Sequence, residues 1–455
     1  MTRMLFALLL LPIAVLLTPR PAAATEWVVS TIGDDDNGKG TVVKPFRTVG
    51  RVINTSNGVA KSGDTVILRG IPGNNVYREC DVRVRVKITL RSYPGELAHI
   101  HCDVGVKDSV VLQFDTDASG SVASNLELSG SAYYGVKLNT EWYPDGGEKL
   151  LGASDIVLEN LKIHDTGRDG IKITPKANRI TIRRSEIWNT GAIYPPATPQ
   201  SDKNADGIDN VGGSNMLVED NYIHDVATTG LYFKGGARDC IVQRNRIENA
   251  AAGIRVGFDT SPEYFDLADN PHYYESIGGI VRNNYIRNTI YAGIALYGAK
   301  DATITNNTIV ETARKGQAAL FFGLTLQDGD PKAERPPTVN PKIEDNLISQ
   351  KGAPCILIRW SITEIGMLSS LDGNPNTDRN TYYNSTGACE FVDDRPSPTM
   401  FIPKSLDGWR SREQSDRNSI EAVFAVDEAT GQLLNGHGAS VGRGVVETAR
   451  THATN

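Results

Sequence analysis

Apolar residues in the middle of the chain fall at every second position. Ile156 and Leu158, Leu161 and Ile163, Ile171 and Ile173, and Ile180 and Ile182 follow one another in this way, and period two predicts strands, not helices. Together with the polar residues between them they form a short sequence that recurs from residue 155 to 348. Its clearest copies are NLKIHDTGRDGIKIT, NYIHDVATTGLYFKG, NRIENAAAGIRVG and NYIRNTIYAGIALYG. An Asn opens each copy, at Asn160, Asn221, Asn245, Asn284, Asn307 and Asn346, and a Gly before an apolar-x-apolar strand follows about nine residues later. Successive Asn positions lie 24 residues apart from 221 to 245, 23 from 284 to 307, and 39 where about fifteen residues are inserted. A unit of that size cannot bury its own apolar face, so it must stack on its neighbours into a solenoid. Leucine-rich, ankyrin and tetratricopeptide patterns are absent. The expected fold is all-β, a parallel β-helix in which Gly supplies turn conformations and stacked Asn side chains satisfy corner backbone groups.

The flanks complete this layout. Residues 1–24, MTRMLFALLLLPIAVLLTPRPAAA, combine an early Arg, an apolar run and small residues before Thr25, which reads as a secretory signal peptide too short to span a membrane. The mature protein is expected to be secreted or periplasmic, off the membrane and monomeric. Residues 25–105 are read as an N-terminal cap and first coils, with a short helix near Arg47 to Asn54 and a strand from Thr65 to Arg69. Residues 106–360 are the β-helix core, and 361–455 the last coils and a cap, with a helix in SLDGWRSREQSDRNSI and a closing strand in GQLLNGHGASVGRG. Three insertions, Gly191 to Ala205, Phe258 to Ile277 and Gly323 to Pro341, interrupt the repeat at corresponding places. Insertions at one corner of a solenoid build walls along one face.

Charge and cysteines narrow the partners. The formal net charge is −7 and no basic stripe compensates for it, which argues against nucleic acid. A polyanionic sugar would need a local cationic patch or a bound metal. Cys80 and Cys102 lie 22 residues apart, about one coil, and can bridge. Cys355 and Cys389 can pair near the C-terminal end, and Cys240 reads as a small core residue.

Aligning Gly170, Gly207, Gly230, Gly253 and Gly293 exposes the candidate chemistry. The second residue after each Gly points outward, giving the column Lys172, Asp209, Tyr232, Arg255 and Ala295. Two residues further on stand Thr174, Val211, Lys234, Gly257 and Tyr297, and before the Gly residues come Asp169, Asp206, Thr229, Ala252 and Ala292. Adjacent coils are about 4.8 Å apart, so Asp169, Lys172, Asp206, Asp209, Tyr232, Lys234 and Arg255 share one patch. A mixed-charge solvent face is the plain alternative, but the charge is concentrated where the walls are predicted. Asp169, Asp206 and Asp209 suit Ca²⁺. Beside them, Arg255 can neutralise a uronate carboxylate, Lys234 or Lys172 with a lowered pKa can take the α-proton, and Tyr232 can donate to the leaving oxygen. Tyr297 and Tyr273 are candidate sugar-binding rings.

ADGID (Ala205 to Asp209) followed by TGLYFKGG (Thr229 to Gly236) resembles the calcium site and basic strand of family nine pectate lyases, within the pectate lyase-like right-handed parallel β-helix superfamily. The resemblance implies calcium held by Asp206, Asp209 and Asp169, a Lys base, and β-elimination of an acidic polysaccharide such as pectate or alginate. Ala205 replaces one carboxylate of that pattern. Tyr232 occupies the slot of the basic Lys, two residues before Lys234. NADGID is also similar to the NTDGID of polygalacturonases, which implies hydrolysis by paired carboxylates. The second carboxylate pair and the His of that family are absent here. A non-catalytic carbohydrate-binding β-helix is the third reading.

Overall fold

The computed structural model describes residues 24–54, 58–141, 150–328, 330–363, 366–396, 405–436 and 438–447. The segment read as a signal peptide lies outside them apart from its last residue. Among the described residues the alternating pairs form stacked parallel strands, and no helix is long and apolar enough to cross a membrane. The strands of the solenoid pair with their counterparts one coil away, as in Val157–His164, which runs beside Val122–Gly130 on one side and beside Thr181–Arg183 and Glu186–Trp188 on the other, while four short antiparallel pairs among the described residues lie outside this stacking. The result is a parallel β-helix. All eight alternating Ile and Leu residues of the repeat are at most 1 % exposed and belong to one continuous apolar core.

A separate sheet of eleven parallel strands carries the candidate site. It runs from Val82–Val84 through Ile171–Ile173, Ile208–Val211, Thr229–Lys234, Ala252–Val256 and Ile294–Tyr297 to Phe391–Asp393.

The corners repeat one solution. The Oδ1 of Asn245 accepts from both the backbone N–H and the side-chain amide of Asn221, each at 3.0 Å. Asn284, Asn307, Asn346 and Asn380 continue the pattern. Ser185 opens this ladder and Ser419 closes it. Asn160 is not a rung. It sits one position earlier, at φ 53°, in a left-handed column with Arg184, Asp220, Arg244, Asn283 and Asn306. The aligned Gly residues also have a different cause from the turn conformations expected of them. Their φ is not positive. A Cβ on Gly207 would fall 2.4 Å from the carbonyl oxygen of Gly230, and one on Gly253 2.3 Å from that of Gly293, so close coil stacking is what demands glycine.

Both ends are covered. Near the N-terminus, Val49–Ile53 is helical, capped by Thr48, and buries Val49, Val52 and Ile53. Near the C-terminus, Leu406–Glu413 is helical, capped by Ser405, and buries Trp409. Capping of this kind protects edges that would otherwise pair with other chains. Cys80 is bonded to Cys102 and Cys355 to Cys389, while Cys240 is free and buried.

Candidate functional site

Strand register places the predicted outward column as aligned: Lys172 beside Asp209, Asp209 beside Tyr232, Tyr232 beside Arg255, and Arg255 beside Ala295. The column also extends toward the N-terminus through Lys137, Gln113 and Arg83. Lys137 was not among the predicted site residues, because its coil, Tyr134–Leu138, lies before the clear copies of the repeat. Burial pulls its proton affinity below the usual lysine value, helped by Arg83.

Tyr232, Lys234, Arg255 and Asp206 line a groove of about 430 Å³. The insertions wall it as expected: Gln200 and Asn204 come from the first, Phe258 and Asp259 from the second, and Asp328 from the third. A second recess of about 210 Å³, reaching Lys172 and Asp209, shares Asn204, Tyr232, Lys234 and Asp328 with it. The two are parts of one cleft.

At its floor Asp169, Asp206 and Asp209 bring carboxylate oxygens within 4.8 Å of one another. One oxygen of each of the first two is engaged. Asp169 Oδ1 accepts from the Asp206 N–H at 2.9 Å, and Asp206 Oδ1 accepts from the Thr228 hydroxyl at 2.6 Å and the Thr229 N–H at 2.7 Å. Lys172 Nζ donates to Asp209 Oδ2. Asp209 Oδ1 is buried without a well-directed partner, although the Tyr232 phenol faces the same carboxylate. Burial, then the negative charge of Asp209, raises the proton affinity of Asp169 and Asp206 above the usual carboxylate range. The same two causes hold the Tyr232 phenol well above its ordinary value and keep it protonated.

Lys172 departs from expectation. Burial alone would lower its pKa, but the carboxylates of Asp209 and Asp169 outweigh burial and raise it. The lowered value expected of it is not found, and this lysine stays an ammonium. Lys234 is placed differently. Its amine donates to the Asp259 carbonyl at 2.8 Å and lies 4.9 Å from the centre of the Tyr232 ring and 5.3 Å from that of Phe258. The Arg255 guanidinium lies 4.2 Å over Phe258, with Nε buried and without a hydrogen-bond partner. Among the described residues neither cation has a carboxylate oxygen within the 4.0 Å of an ion pair.

The two expected sugar-binding rings are not brought into the cleft. Tyr297 is only 6 % exposed and packs edge-on against Phe258 at 5.3 Å, and the rings that line the groove are Tyr232, Phe258 and Tyr291. Tyr273 packs against Phe265 at 5.2 Å with Arg335 4.5 Å over its face. Glu275 is a further buried group beside the site. Its Oε2 accepts from the Gly235 N–H at 2.9 Å and the Thr260 hydroxyl at 2.6 Å, and burial pushes its pKa up to about 8. Phe258, Asp259 and Glu275 lie in or at the end of an insertion, where no repeat register could have pointed to them.

The chain matches the family model of the right handed beta helix region over residues 116–264, and the solenoid is a right-handed parallel β-helix. No curated protein matches it. Among solved structures it is similar to XylC in complex with xylose, at 12 % identity over 89 % of this chain and 88 % of that one, with a TM-score of 0.52. It is similar to the GH136 lacto-N-biosidase from Eubacterium ramulus at 15 % identity over 82 % and 67 %, with a TM-score of 0.53. Pectate lyase Pel9A aligns at 11 % identity over 83 % and 82 %, with a TM-score of 0.46. At these identities the likeness concerns the fold.

Proposed function

We propose that this protein is a carbohydrate-active β-helix enzyme that cleaves an acidic, uronate-containing polysaccharide by β-elimination. The observation that carries this reading is the placement of two cations that form no ion pair among the described residues, Lys234 and Arg255, beside a buried carboxylate cluster in one walled cleft. A uronate carboxylate could pair directly with either cation, which a neutral sugar could not.

The chain's residues divide the work as follows. Arg255 binds the uronate carboxylate and withdraws charge from the α-carbon as its proton leaves. Lys234 is the base by position, since its amine lines the cleft and is held there by the Asp259 carbonyl. Lys172, locked to Asp209, is a fixed positive charge. Tyr232, kept protonated, donates to the departing glycosidic oxygen. Asp169, Asp206 and Asp209, with the orphaned Asp209 Oδ1, form an oxygen donor set that fits a divalent, oxygen-seeking cation, which would displace the protons that burial favours on Asp169 and Asp206. Calcium bound there would neutralise the substrate carboxylate and favour the enolate-like intermediate.

One observation favours a second reading. Asp169 and Asp206 lie close to Asp209 and have raised proton affinities, as a general acid beside a nucleophile would in a retaining glycosidase. One experiment separates the two. Incubation with a panel of polyuronates, with and without chelator, is followed both by ultraviolet absorbance of unsaturated ends and by reducing-end titration. Elimination gives both signals in step. Reducing ends without absorbance overturn elimination in favour of hydrolysis, and neither signal on any polymer overturns both.

A further inference from the structure

A different sheet carries a second cluster that the cleft chemistry does not use. His99 stands on Ala98–Cys102, Glu127 on Val122–Gly130 and His164 on Val157–His164, three strands in consecutive coils. His99 Nδ1 lies 3.5 Å and His164 Nε2 3.2 Å from the same oxygen, Glu127 Oε1. All three ligand atoms fall within 4.8 Å of one another. Tetrahedral zinc with bonds of about 2.0–2.1 Å separates neighbouring ligands by about 3.3 Å.

The far side of each ring is also built. His164 Nδ1 is 2.7 Å from Asp165 Oδ2, which fixes the proton on Nδ1 and turns the Nε2 lone pair toward Glu127. His99 Nε2 is 2.7 Å from the Ser129 hydroxyl, directing Nδ1 to the same point. Trp188 stacks on the His164 ring at 4.3 Å and 15°. With their far nitrogens engaged, His99 Nδ1 and His164 Nε2 converge on Glu127 Oε1, the arrangement of three ligand atoms around one ion. Carboxylate behind imidazole is the arrangement that orients zinc-ligating histidines.

We propose that His99, Glu127 and His164 bind one zinc-type divalent cation, with Asp165 and Ser129 as orienting partners and an open fourth position for water. The ligands come from three successive coils, so the metal clamps the N-terminal part of the solenoid, where the Cys80–Cys102 disulfide already ties two segments. Imidazole ligands exclude calcium from this site.

The test is calorimetric titration of the chelator-stripped, full-length protein with zinc alone, with thermal unfolding followed in parallel. One equivalent is expected, with a higher Tm in the presence of zinc. His164→Ala and Glu127→Gln lose the binding, Asp165→Asn weakens it about 10–100-fold, and Asp206→Asn in the cleft retains it. Each variant's Tm without zinc is compared with that of the parent, so that a folding defect is not counted as lost binding, and Asp165→Asn serves where a ligand variant does not fold. No uptake of zinc, or uptake unchanged in the His99→Ala/His164→Ala pair, overturns the proposal. A metal-free hydrogen-bonded cluster of His99, Glu127 and His164 is what either result would leave.

Discussion

Two columns of side chains run along the same solenoid under opposite rules. At the corner, Asn221, Asn245, Asn284, Asn307, Asn346 and Asn380 are one residue in one geometry, the amide oxygen of each after Asn221 taking a backbone and a side-chain N–H from the coil before it. On the groove sheet, Lys137, Lys172, Asp209, Tyr232, Arg255, Ala295 and Phe321 change at nearly every step. Identity marks a physical demand that every coil shares, the satisfaction of buried backbone donors. Variation marks demands that differ from coil to coil, and in the walled part of the sheet those demands come from whatever occupies the cleft. The same column turns apolar at Ala295 and Phe321, which pack with Tyr297 in a small cluster of their own.

The two columns should therefore fail in different ways when altered. Lys234→Met is the largest expected effect on rate. It should lower elimination by about 10²–10⁴-fold, the range for loss of a positioned general base, with Tm unchanged because the amine has one backbone partner and no ion pair. Asp209→Asn should lower both rate and stability. It removes the carboxylate paired with the half-buried Lys172 ammonium, leaving Asp169 as the remaining anion, a loss of up to about 3 kcal/mol, the low end for a broken buried pair, read by chemical denaturation. Asn284→Ala, in the ladder, should cost about 1–3 kcal/mol through unsatisfied neighbours, while the elimination rate at 25 °C stays at the parent's. A ladder variant that lost rate at full stability would erase the distinction between the columns.

The smallest effect concerns pH. Glu275 has a folded-state pKa of about 8 against an ordinary 4.5, so the native state holds a proton that the unfolded chain has released. Its contribution to stability is complete below the unfolded value and declines as pH rises from about 4.5 to 8. Glu275→Gln should flatten that part of the stability profile, and an identical slope in parent and variant would contradict the assignment.

Period two and the spacing of the Gly column were enough to read the fold and the register of the site sheet, because both are backbone-level constraints repeated in every coil. What escaped the sequence is local. Asn160 carries the right residue one position away from the ladder, where the rung is Ser185 in the next coil, and Asn380 lies beyond the last clear copy. The column placed Lys172 beside Asp209, but not the direction in which their proximity moves the lysine's proton. Phe258, Asp259 and Glu275 follow no repeat, and Tyr297 is hidden by a ring that belongs to an insertion. Side-chain partners within the cleft depend on loop paths that periodicity does not encode.

The most direct measurement is a crystal structure of the protein with a short uronate oligomer, using the Lys234→Met variant to prevent turnover. A uronate carboxylate is expected about 2.7–2.9 Å from the Arg255 guanidinium, on the side of the cleft that holds Asp206 and Asp209. An oligomer bound on another face, or one whose carboxylates all point to solvent while its rings stack on Phe258, would contradict that placement.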